Sequence, residues 1–465
     1  MERLESSNKH SDCVGHEPGA WKVQEKERAR KMKTRAIVCA LFGLLLLGIP
    51  GERAVAQNNV IVRDSLGQAA LQTTCLLLNC HIIKGIDGSL GQLFLVAAPT
   101  NVPLTTFLAR LVGSVGVVDA EPDLLLHVMQ SQTVPSGLYD TTPVNYYGTS
   151  VWDGYASQPA AGIINLQTAQ SSYFTASGSG IVAVVDTGVD PTHPVLQGVL
   201  LQGYDFTRNQ SVGSELADVN QSTMAVVNGA YVAQVNQSTM AVVNGTGYST
   251  FSQPQYAAFG HGTMVSGIIH LVAPNAQIMP LKAFHADGTG NLSDVLAAIY
   301  YAIRNNANVV NMSFDFTTYS RELETVVNYG AHRGVVSVAS VGNDGQQIVV
   351  YPAGLSNVIG VASTSNNDAL SSFSNYGQPP VWVGAPGEGI ITTYPYGTYA
   401  AGWGTSFSTP FVSGTVALMF GLSAPNQQSA AQALSNAVYI SPALGNGRLD
   451  AYQAVTAWCQ AAGQC

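Results

Sequence analysis

Positive charge is what this sequence lacks beyond its first 56 residues. Those residues carry ten of the 19 lysines and arginines, which leaves nine basic against 21 acidic side chains in the rest of the chain. Lys84 and Lys282 are the only lysines there. An acidic surface without a basic patch repels phosphate groups, so we predict neither nucleic acid nor an anionic membrane surface as a partner. A neutral or cationic polymer remains possible as a partner.

The chain also lacks an apolar run long enough to cross a membrane. Its apolar stretch Ala36–Ile49 has 14 residues, whereas a spanning helix needs about 20. The basic run Lys26–Arg35 precedes it, and the small residues Ala54–Ala56 follow. This order predicts a secretory signal cleaved after Ala56, and therefore a secreted protein without stable membrane insertion; a retained signal anchor is the alternative. Initiation at Met32 would shorten the long polar leader.

Cysteine is scarce, and after the leader it occurs only in two close pairs, Cys75 with Cys80 and Cys459 with Cys465. In an oxidising exterior we expect each pair to form a disulfide that closes a short loop. Neither pair has a histidine at the spacing of a zinc site, so we do not expect these cysteines to bind a metal.

Residues 1–56 form the expected signal region, and three segments follow it. Residues 57–135 carry strand-like apolar runs around one helix-like segment, which predicts a small α+β domain. Residues 136–150 are rich in proline, glycine and tyrosine and suit an exposed linker. In residues 151–465 strand candidates alternate with helix candidates, which is typical of an α/β fold with a mostly parallel sheet flanked by helices.

One stretch of the third segment is duplicated. The sequence VNQSTMAVVNG occurs at Val219–Gly229 and again at Val235–Gly245. Two copies are too few for a solenoid, so we interpret them as enlarging a surface insertion at about residues 209–250.

Asp186 and His261 each lie where a side chain can do chemistry. Asp186 follows the apolar strand Ile181–Val185, at the end of the strand where open α/β sheets bind ligands. A turn or capping aspartate is the alternative. His261, in GHGTMVSG, lies among small residues before an apolar helix, where an imidazole can act as a general base. A structural histidine is the alternative there.

Ser406 and Asn343 are the two other candidates. Ser406, in GWGTSFSTP, lies at the start of a helix expected over Thr405–Phe420, whose free N–H groups favour an oxyanion beside the hydroxyl. A plain helix cap is the alternative. Asn343, in SVGNDG, follows an apolar strand, so its amide can donate to an oxyanion or serve only a turn.

Together these fragments resemble the subtilisin-like serine peptidases. The stretches that carry the resemblance lie between about Ile181 and Asp450, and they are VVDTGVDPTHP, GHGTMVSGI, NVVNMSF, SVGNDG, YPAGLSNVIGVAS, SSFSNYG, APG and GTSFSTPFVSG. The order Asp, His, Ser separates this family from the chymotrypsin-like and α/β-hydrolase enzymes.

The resemblance implies a role for each candidate. Ser406 matches the nucleophile, His261 the general base, and Asp186 the carboxylate that orients the imidazole. Asn343 matches the side-chain donor to the oxyanion, with the Ser406 N–H as its partner. Residues 57–135 resemble the family's inhibitory propeptide in size, position and pattern.

The segment Ser313-Phe314-Asp315 matches the edge that pairs with an extended substrate. Where the family often has glycine, this chain has Asp315, which would narrow the specificity pocket or favour a basic side chain. An aspartate that points outward is the alternative. The chain also has no room after His261 for the loop that often binds calcium in this family.

These observations predict a secreted, monomeric serine endopeptidase of subtilisin-like fold, which acts on proteins or peptides through an acyl-enzyme and binds its own propeptide. We predict no cofactor and no calcium after His261, and leave a structural calcium elsewhere open. Two alternatives remain: a catalytically inactive binding protein on the same fold, and a processing peptidase of narrow specificity.

Overall fold

The computed structural model describes residues 59–123, 125–126, 135–172, 177–219, 234–235, 240–241 and 254–465. The signal region expected at residues 1–56 lies outside these ranges, as does much of the insertion expected at residues 209–250.

The first part of the described chain is a small α+β unit. Its elements are β1 (Asn59–Asp64), α1 (Gln68–Leu78), β2 (His81–Gly85), β3 (Leu93–Ala97), α2 (Leu104–Val112), β4 (Val117–Pro122) and β5 (Leu125–Leu126). The first four strands form an antiparallel sheet in the order β2-β3-β1-β4.

The two central strands of this small sheet, β1 and β3, are buried on both faces. Successive side chains of a strand point to opposite faces, so the two faces join different cores. Val60 and Val62 pack in a core with α1 and α2. Ile61, Leu93 and Leu95 belong instead to the core formed by later helices of the chain. The unit is therefore docked through one face of β1 and β3.

The remaining strands build one large sheet and smaller ones. They are β6 (Pro143–Tyr146), β7 (Thr149–Trp152), β8 (Ile181–Asp186), β9 (Tyr204–Asp205), β10 (Gln210–Ser211), β11 (Gln234–Val235), β12 (Met240–Ala241), β13 (Gln277–Lys282), β14 (Gly290–Asn291), β15 (Val309–Met312), β16 (Val336–Ser340), β17 (Ile359–Thr364), β18 (Val383–Pro386), β19 (Ile390–Tyr394) and β20 (Thr398–Gly402).

The large sheet has the order β10-β9-β13-β8-β15-β16-β17-β18 and is parallel except at the β9–β10 edge. The helices of this part are α3 (Asp153–Ala156), α4 (Pro159–Ile163), α5 (Leu166–Ser172), α6 (His261–Val272), α7 (Leu292–Arg304), α8 (Arg321–His332), α9 (Thr405–Phe420), α10 (Gln427–Leu434) and α11 (Ala451–Ala461).

Helices cover both faces of the large sheet. Val182 and Val184 of β8 belong to the core that includes α6 and α9, whereas Ala183 and Val185 belong to the core with α7 and α8. A parallel strand buried on both faces needs a continuous apolar run, which is what the sequence supplies.

The segment expected to be an exposed linker is folded in its described part. Residues 135–152 form a 3-10 turn and the hairpin β6–β7, and Leu138 and Val151 are buried in the main core. Most side chains of residues 136–150 are nevertheless exposed. Proline, glycine and tyrosine here form a tight turn and a short hairpin, and the segment's role as a linker stays a prediction.

The N-terminus of α7 is held by a residue of the small α+β unit. The helix begins at Leu292, and the Ser293 N–H and hydroxyl both donate to the Asp123 carboxylate, at 2.9 and 3.0 Å. The cap is thus supplied from the small α+β unit.

Both expected disulfides are confirmed. Cys75 is bonded to Cys80 and Cys459 to Cys465, with Cα atoms 4.5 and 5.5 Å apart.

Candidate active site

Asp186 is the last residue of β8, and it lies at the carboxyl end of the sheet. The next strands of this sheet in the chain, β9, β10 and β13, lie on one side of β8, and β15 to β18 lie on the other. The strand order therefore reverses at β8, where such sheets bind ligands. The carboxylate is buried, accepts the Thr187 N–H at 2.7 Å, and lies 2.7 Å from Nδ1 of His261.

His261 is the first residue of α6, and its ring is held from two sides. Asp186 binds Nδ1, and the ring of Phe407 lies 5.4 Å away between centroids. Gly260 before it has φ 90°, and a Cβ there would come within 2.2 Å of the Tyr394 ring, so only glycine fits. His261 Nε2 is buried and has no hydrogen bond to any described residue.

Ser406 is the second residue of α9. Its hydroxyl donates to the Ser313 carbonyl at 3.1 Å, and the Ser313 hydroxyl donates to the Ser406 carbonyl at 2.9 Å. The helix is capped at Gly404 without a side-chain bond, so Ser406 does not serve as the cap. In this conformation its hydroxyl is bonded to Ser313 and not to His261 Nε2.

Asn343 lies in the turn after β16 and reaches the start of α9. Its Oδ1 accepts the Thr405 N–H at 2.9 Å and the Thr405 hydroxyl at 3.1 Å. Since a backbone N–H can only donate, the amide oxygen faces Thr405 and the donor end of the amide faces away from it. The structure therefore links Asn343 to the residue that precedes Ser406.

A family model described as the subtilase family matches residues 178–452, which is more than half of the chain. This chain is a subtilase. Thermitase from Thermoactinomyces vulgaris is 35% identical over 317 residues, which cover 65% of this chain and 98% of thermitase. A thermophilic serine proteinase from Bacillus sp. (strain AK1) is 33% identical over 325 residues, covering 67% of this chain and 71% of that protein.

Among solved structures, fervidolysin from Fervidobacterium pennivorans, described as a keratinolytic enzyme related to subtilisin, matches with a TM-score of 0.64. The match covers 86% of this chain and 60% of fervidolysin, at 21% identity, and it supports the fold alone. The expected family and α/β fold are confirmed, and so is the enzyme class: this subtilase is a serine-type endopeptidase that acts on proteins.

The segment expected to bind substrate lies beside the nucleophile. Ser313 is bonded to Ser406, and Phe314 is buried with its ring 4.9 Å from that of Phe284. Asp315 is half-buried, and a Cβ built on Gly342 would come within 2.9 Å of its Oδ2. The carboxylate thus lies against Gly342, and the interpretation that it points outward was wrong.

Glu215 is a buried residue of the subtilase that the sequence did not reveal. Its carboxylate accepts the Gly260 N–H at 2.7 Å and the Thr187 hydroxyl at 3.2 Å, and it also binds the Thr263 hydroxyl. It therefore ties the residue after Asp186 to both sides of His261. No signal marked it, because it lies where the insertion begins.

Lys282 is a second unforeseen residue. It is fully buried at the end of β13, where Nζ donates to the carbonyls of Thr187 and Phe284 at 2.7 and 2.6 Å and pairs with Asp218 at 2.7 Å. The sequence did hold a signal, since this is one of two lysines after the leader and it ends an apolar strand.

Asn375, in the motif SSFSNYG, holds the turn that carries Asn343. Its N–H donates to the Gly342 carbonyl at 3.0 Å, and its Oδ1 accepts the N–H groups of Asp344 and Gln346, both at 3.1 Å. An asparagine is needed because the same side chain also donates to the Asp344 carboxylate at 3.0 Å.

Among the residues that the structure describes, no helix is long and apolar enough to cross a membrane. Within the same ranges, no group of three or more His, Cys, Asp or Glu is arranged to hold a metal. Helix α6 continues without interruption from His261 to Val272, and the absence of calcium there stays a prediction.

Proposed function

We propose that this subtilase is secreted and hydrolyses peptide bonds through an acyl-enzyme on Ser406. The observation that carries the proposal is the buried 2.7 Å bond between Asp186 and His261 Nδ1, with Nε2 left without a bond to the described residues. An imidazole fixed through Nδ1 presents Nε2 as the proton acceptor that a serine nucleophile needs.

The first half-reaction follows from these positions. The Ser406 hydroxyl turns from the Ser313 carbonyl to His261 Nε2, gives up its proton there, and its Oγ forms a bond to the substrate carbonyl carbon. The tetrahedral intermediate then collapses: the C–N bond breaks, and the leaving amine takes the proton from His261. Water repeats the sequence on the acyl-enzyme and releases the acid.

The negative charge that forms on the carbonyl oxygen needs two donors. The Asn343 amide, whose oxygen is held by Thr405, and the Ser406 N–H at the start of α9 are in a position to supply them. Donors fixed in advance cost no reorganisation during the reaction, which is why the bond to Thr405 supports the proposal.

The small α+β unit acts in this proposal as an inhibitory propeptide. Asp123 caps α7 through Ser293, and Glu121 binds the Ser320 hydroxyl at 2.6 Å at the start of α8. Strand β5 pairs with β14, which leads directly into α7. These contacts fix β5 at the edge of the peptidase.

A fluorophosphonate probe tests the proposed function. Such a probe reacts with an activated serine, so the processed protein should be labelled once per chain and the Ser406→Ala variant should not be labelled. The absence of labelling in processed wild-type protein would favour the alternative, a catalytically inactive binding protein. Secretion is tested separately, by finding the protein outside the producing cells without the signal region.

A further inference from the structure

We propose that Asp315 makes this enzyme select substrates with a lysine or arginine at the residue that contributes the scissile carbonyl, here called the acyl residue. The inference rests on the proposed function, because it assigns a partner to a carboxylate beside the same nucleophile. It concerns the specificity of the reaction and not its chemical steps.

The first step of the argument is the position of the backbone around Asp315. Ser313, two residues earlier, exchanges hydrogen bonds with Ser406. Phe314, which lies between Ser313 and Asp315, is buried against Phe284. The Phe314 side chain therefore points into the protein and fixes the segment. Asp315 therefore begins within two residues of the backbone that touches the nucleophile.

The second step is the direction of the side chain. Its carboxylate lies against Gly342, where an added Cβ would be 2.9 Å from Asp315 Oδ2. Gly342 directly precedes Asn343, the proposed oxyanion donor. The reacting carbonyl has to lie between Ser406 and Asn343, and the side chain of the acyl residue leaves from the Cα bonded to that carbonyl carbon. The Asp315 carboxylate thus borders the space that this side chain enters.

The third step is that no described residue binds the Asp315 carboxylate. Neither carboxylate oxygen makes a hydrogen bond or ion pair with any other residue in the described ranges. The neighbouring acid, Asp344, is by contrast bonded to Asn375. Burial, and then repulsion from Asp344, raise the pKa of Asp315 to about 7.

A half-buried acid beside a second acid is stabilised when a cation enters. Lysine and arginine are the side chains that bring one, and both are long enough to extend from the reacting carbonyl. The competing explanation is steric: Asp315 would only fill the space and favour small acyl residues. Asparagine has the same shape without the charge, so the two explanations can be separated.

The experiment uses processed enzyme from the full chain, with its active sites counted by fluorophosphonate labelling. Peptides identical except for the acyl residue (Arg, Lys, Gln, Leu, Ala or Glu) are compared by kcat/KM. We expect wild type to favour Arg and Lys over Leu by about 30-fold or more, the lower end for a desolvated charge pair. Asp315→Asn should lose most of this preference, because its kcat/KM falls much further on Arg and Lys than on Leu.

Asp344→Asn is the matched control, since it removes the neighbouring charge but leaves Asp315, and it should keep the preference for Arg and Lys. Asp315→Ala is the second variant and should lose the preference as well. The inference alone is overturned if wild type is labelled but does not prefer Arg and Lys, or if Asp315→Asn keeps that preference. It is also overturned if wild type prefers Ala and Asp315→Ala only gains activity on Leu, which is the steric result. Absence of labelling overturns the proposed function and the inference with it.

The pH dependence gives an independent readout. Asp315 must be ionised to bind a cation, and Asp344 is the charged group that faces it. The ratio of kcat/KM for Arg over Leu should therefore rise as the pH rises through about 7, because pH effects common to both substrates cancel in the ratio. A flat ratio in wild type, or an unchanged rise in Asp315→Asn, would contradict the assignment.

Discussion

Asn343 binds the residue that precedes Ser406, but replacing Asn343 and replacing Ser406 are expected to impair catalysis in different ways. Ser406→Ala removes the nucleophile, so hydrolysis should fall to background and full-length protein should accumulate. Asn343→Ala leaves nucleophile and base in place and removes one oxyanion donor, which should lower kcat about 10²–10³-fold with little change in KM. That magnitude is carried over from subtilisin.

Labelling separates the two variants further. Asn343→Ala should still react with a fluorophosphonate, slowly, whereas Ser406→Ala should not react at all. Wild-type hydrolysis and labelling in Ser406→Ala would show that another residue is the nucleophile.

Lys282 should matter more for stability than any exposed basic residue. Its charge is fully buried and pairs with Asp218, so Lys282→Met removes a buried ion-pair partner and leaves the Thr187 and Phe284 carbonyls without their donor. We expect a loss of about 3–5 kcal/mol in the free energy of unfolding. Denaturant unfolding of the uncut Ser406→Ala chain measures it without self-digestion.

Lys84→Met is the matched control for that measurement. Lys84 pairs with Asp294, but about a third of its side chain is exposed, so the change should cost at most about 1 kcal/mol. Equal losses in the two variants would show that burial is not the reason why the Lys282–Asp218 pair contributes to the free energy of unfolding.

The residues with a chemical role were more visible in the sequence than the residues that hold them. Asp186, His261 and Ser406 stand in short motifs whose small neighbours and apolar flanks identify a strand end or a helix start. Glu215 acts from a part of the chain with no recognisable motif, and its contacts exist only after folding. Long-range hydrogen bonds of this kind have no local pattern.

At the scale of elements, the duplicated insertion should tolerate shortening. Removing Val219–Gly229 with the spacer after it takes out one copy of the repeat, and changes in loop length cost little entropy. We expect expression and the thermal transition to stay close to wild type. The second copy should be retained in this test, because β12 within it pairs with β20, four residues before Ser406. Loss of the cooperative transition would show that the first copy is structural.

The contacts between the small α+β unit and helices α7 and α8 should weaken as the pH rises. Burial raises the pKa of Glu121 to about 7, with Glu322 and Asp119 facing it, and raises the pKa of Asp123 to about 6, with Asp294 and Lys84 facing it. Both carboxyl groups therefore bind a proton more tightly when the small α+β unit is docked than when it is free. Their stabilisation is therefore fully present below about pH 4 and is lost as the pH rises through about 6–7.

The measurement is the dissociation constant between the two parts of a Ser406→Ala chain, cut between them by an added peptidase. It should rise from pH 5 to pH 8 in wild-type sequence and vary less in a Glu121→Gln, Asp123→Asn variant. An equally steep dependence in that variant would assign the effect to other groups.

Elements buried on both sides were predicted well, and those at junctions were not. Helix α9 begins and ends where expected, and strand β8 ends one residue later than expected, because their apolar runs are long and uninterrupted. The composition of residues 136–150 is typical of surface loops and did not reveal that Leu138 is buried in the main core. The start of α7 depends on Asp123, 170 residues away in the chain.

For the molecule as a whole, we predict maturation by a cut between the small α+β unit and the peptidase, within about residues 130–150. Because Leu138 is already buried in the main core, the cut is expected at the beginning of that range. N-terminal sequencing of active protein measures this directly. An active form that begins near Gln57 would contradict it.

The burial of β1 and β3 on both faces has a consequence for what happens after such a cut. Ile61, Leu93 and Leu95 are covered only while the unit is docked, so departure exposes these apolar side chains to water. A domain of about 70 residues has little stability to spare. The freed unit is therefore expected to unravel and to be digested by the enzyme it had covered. Activation would then be irreversible, because an enzyme molecule whose propeptide has been digested cannot return to the latent state.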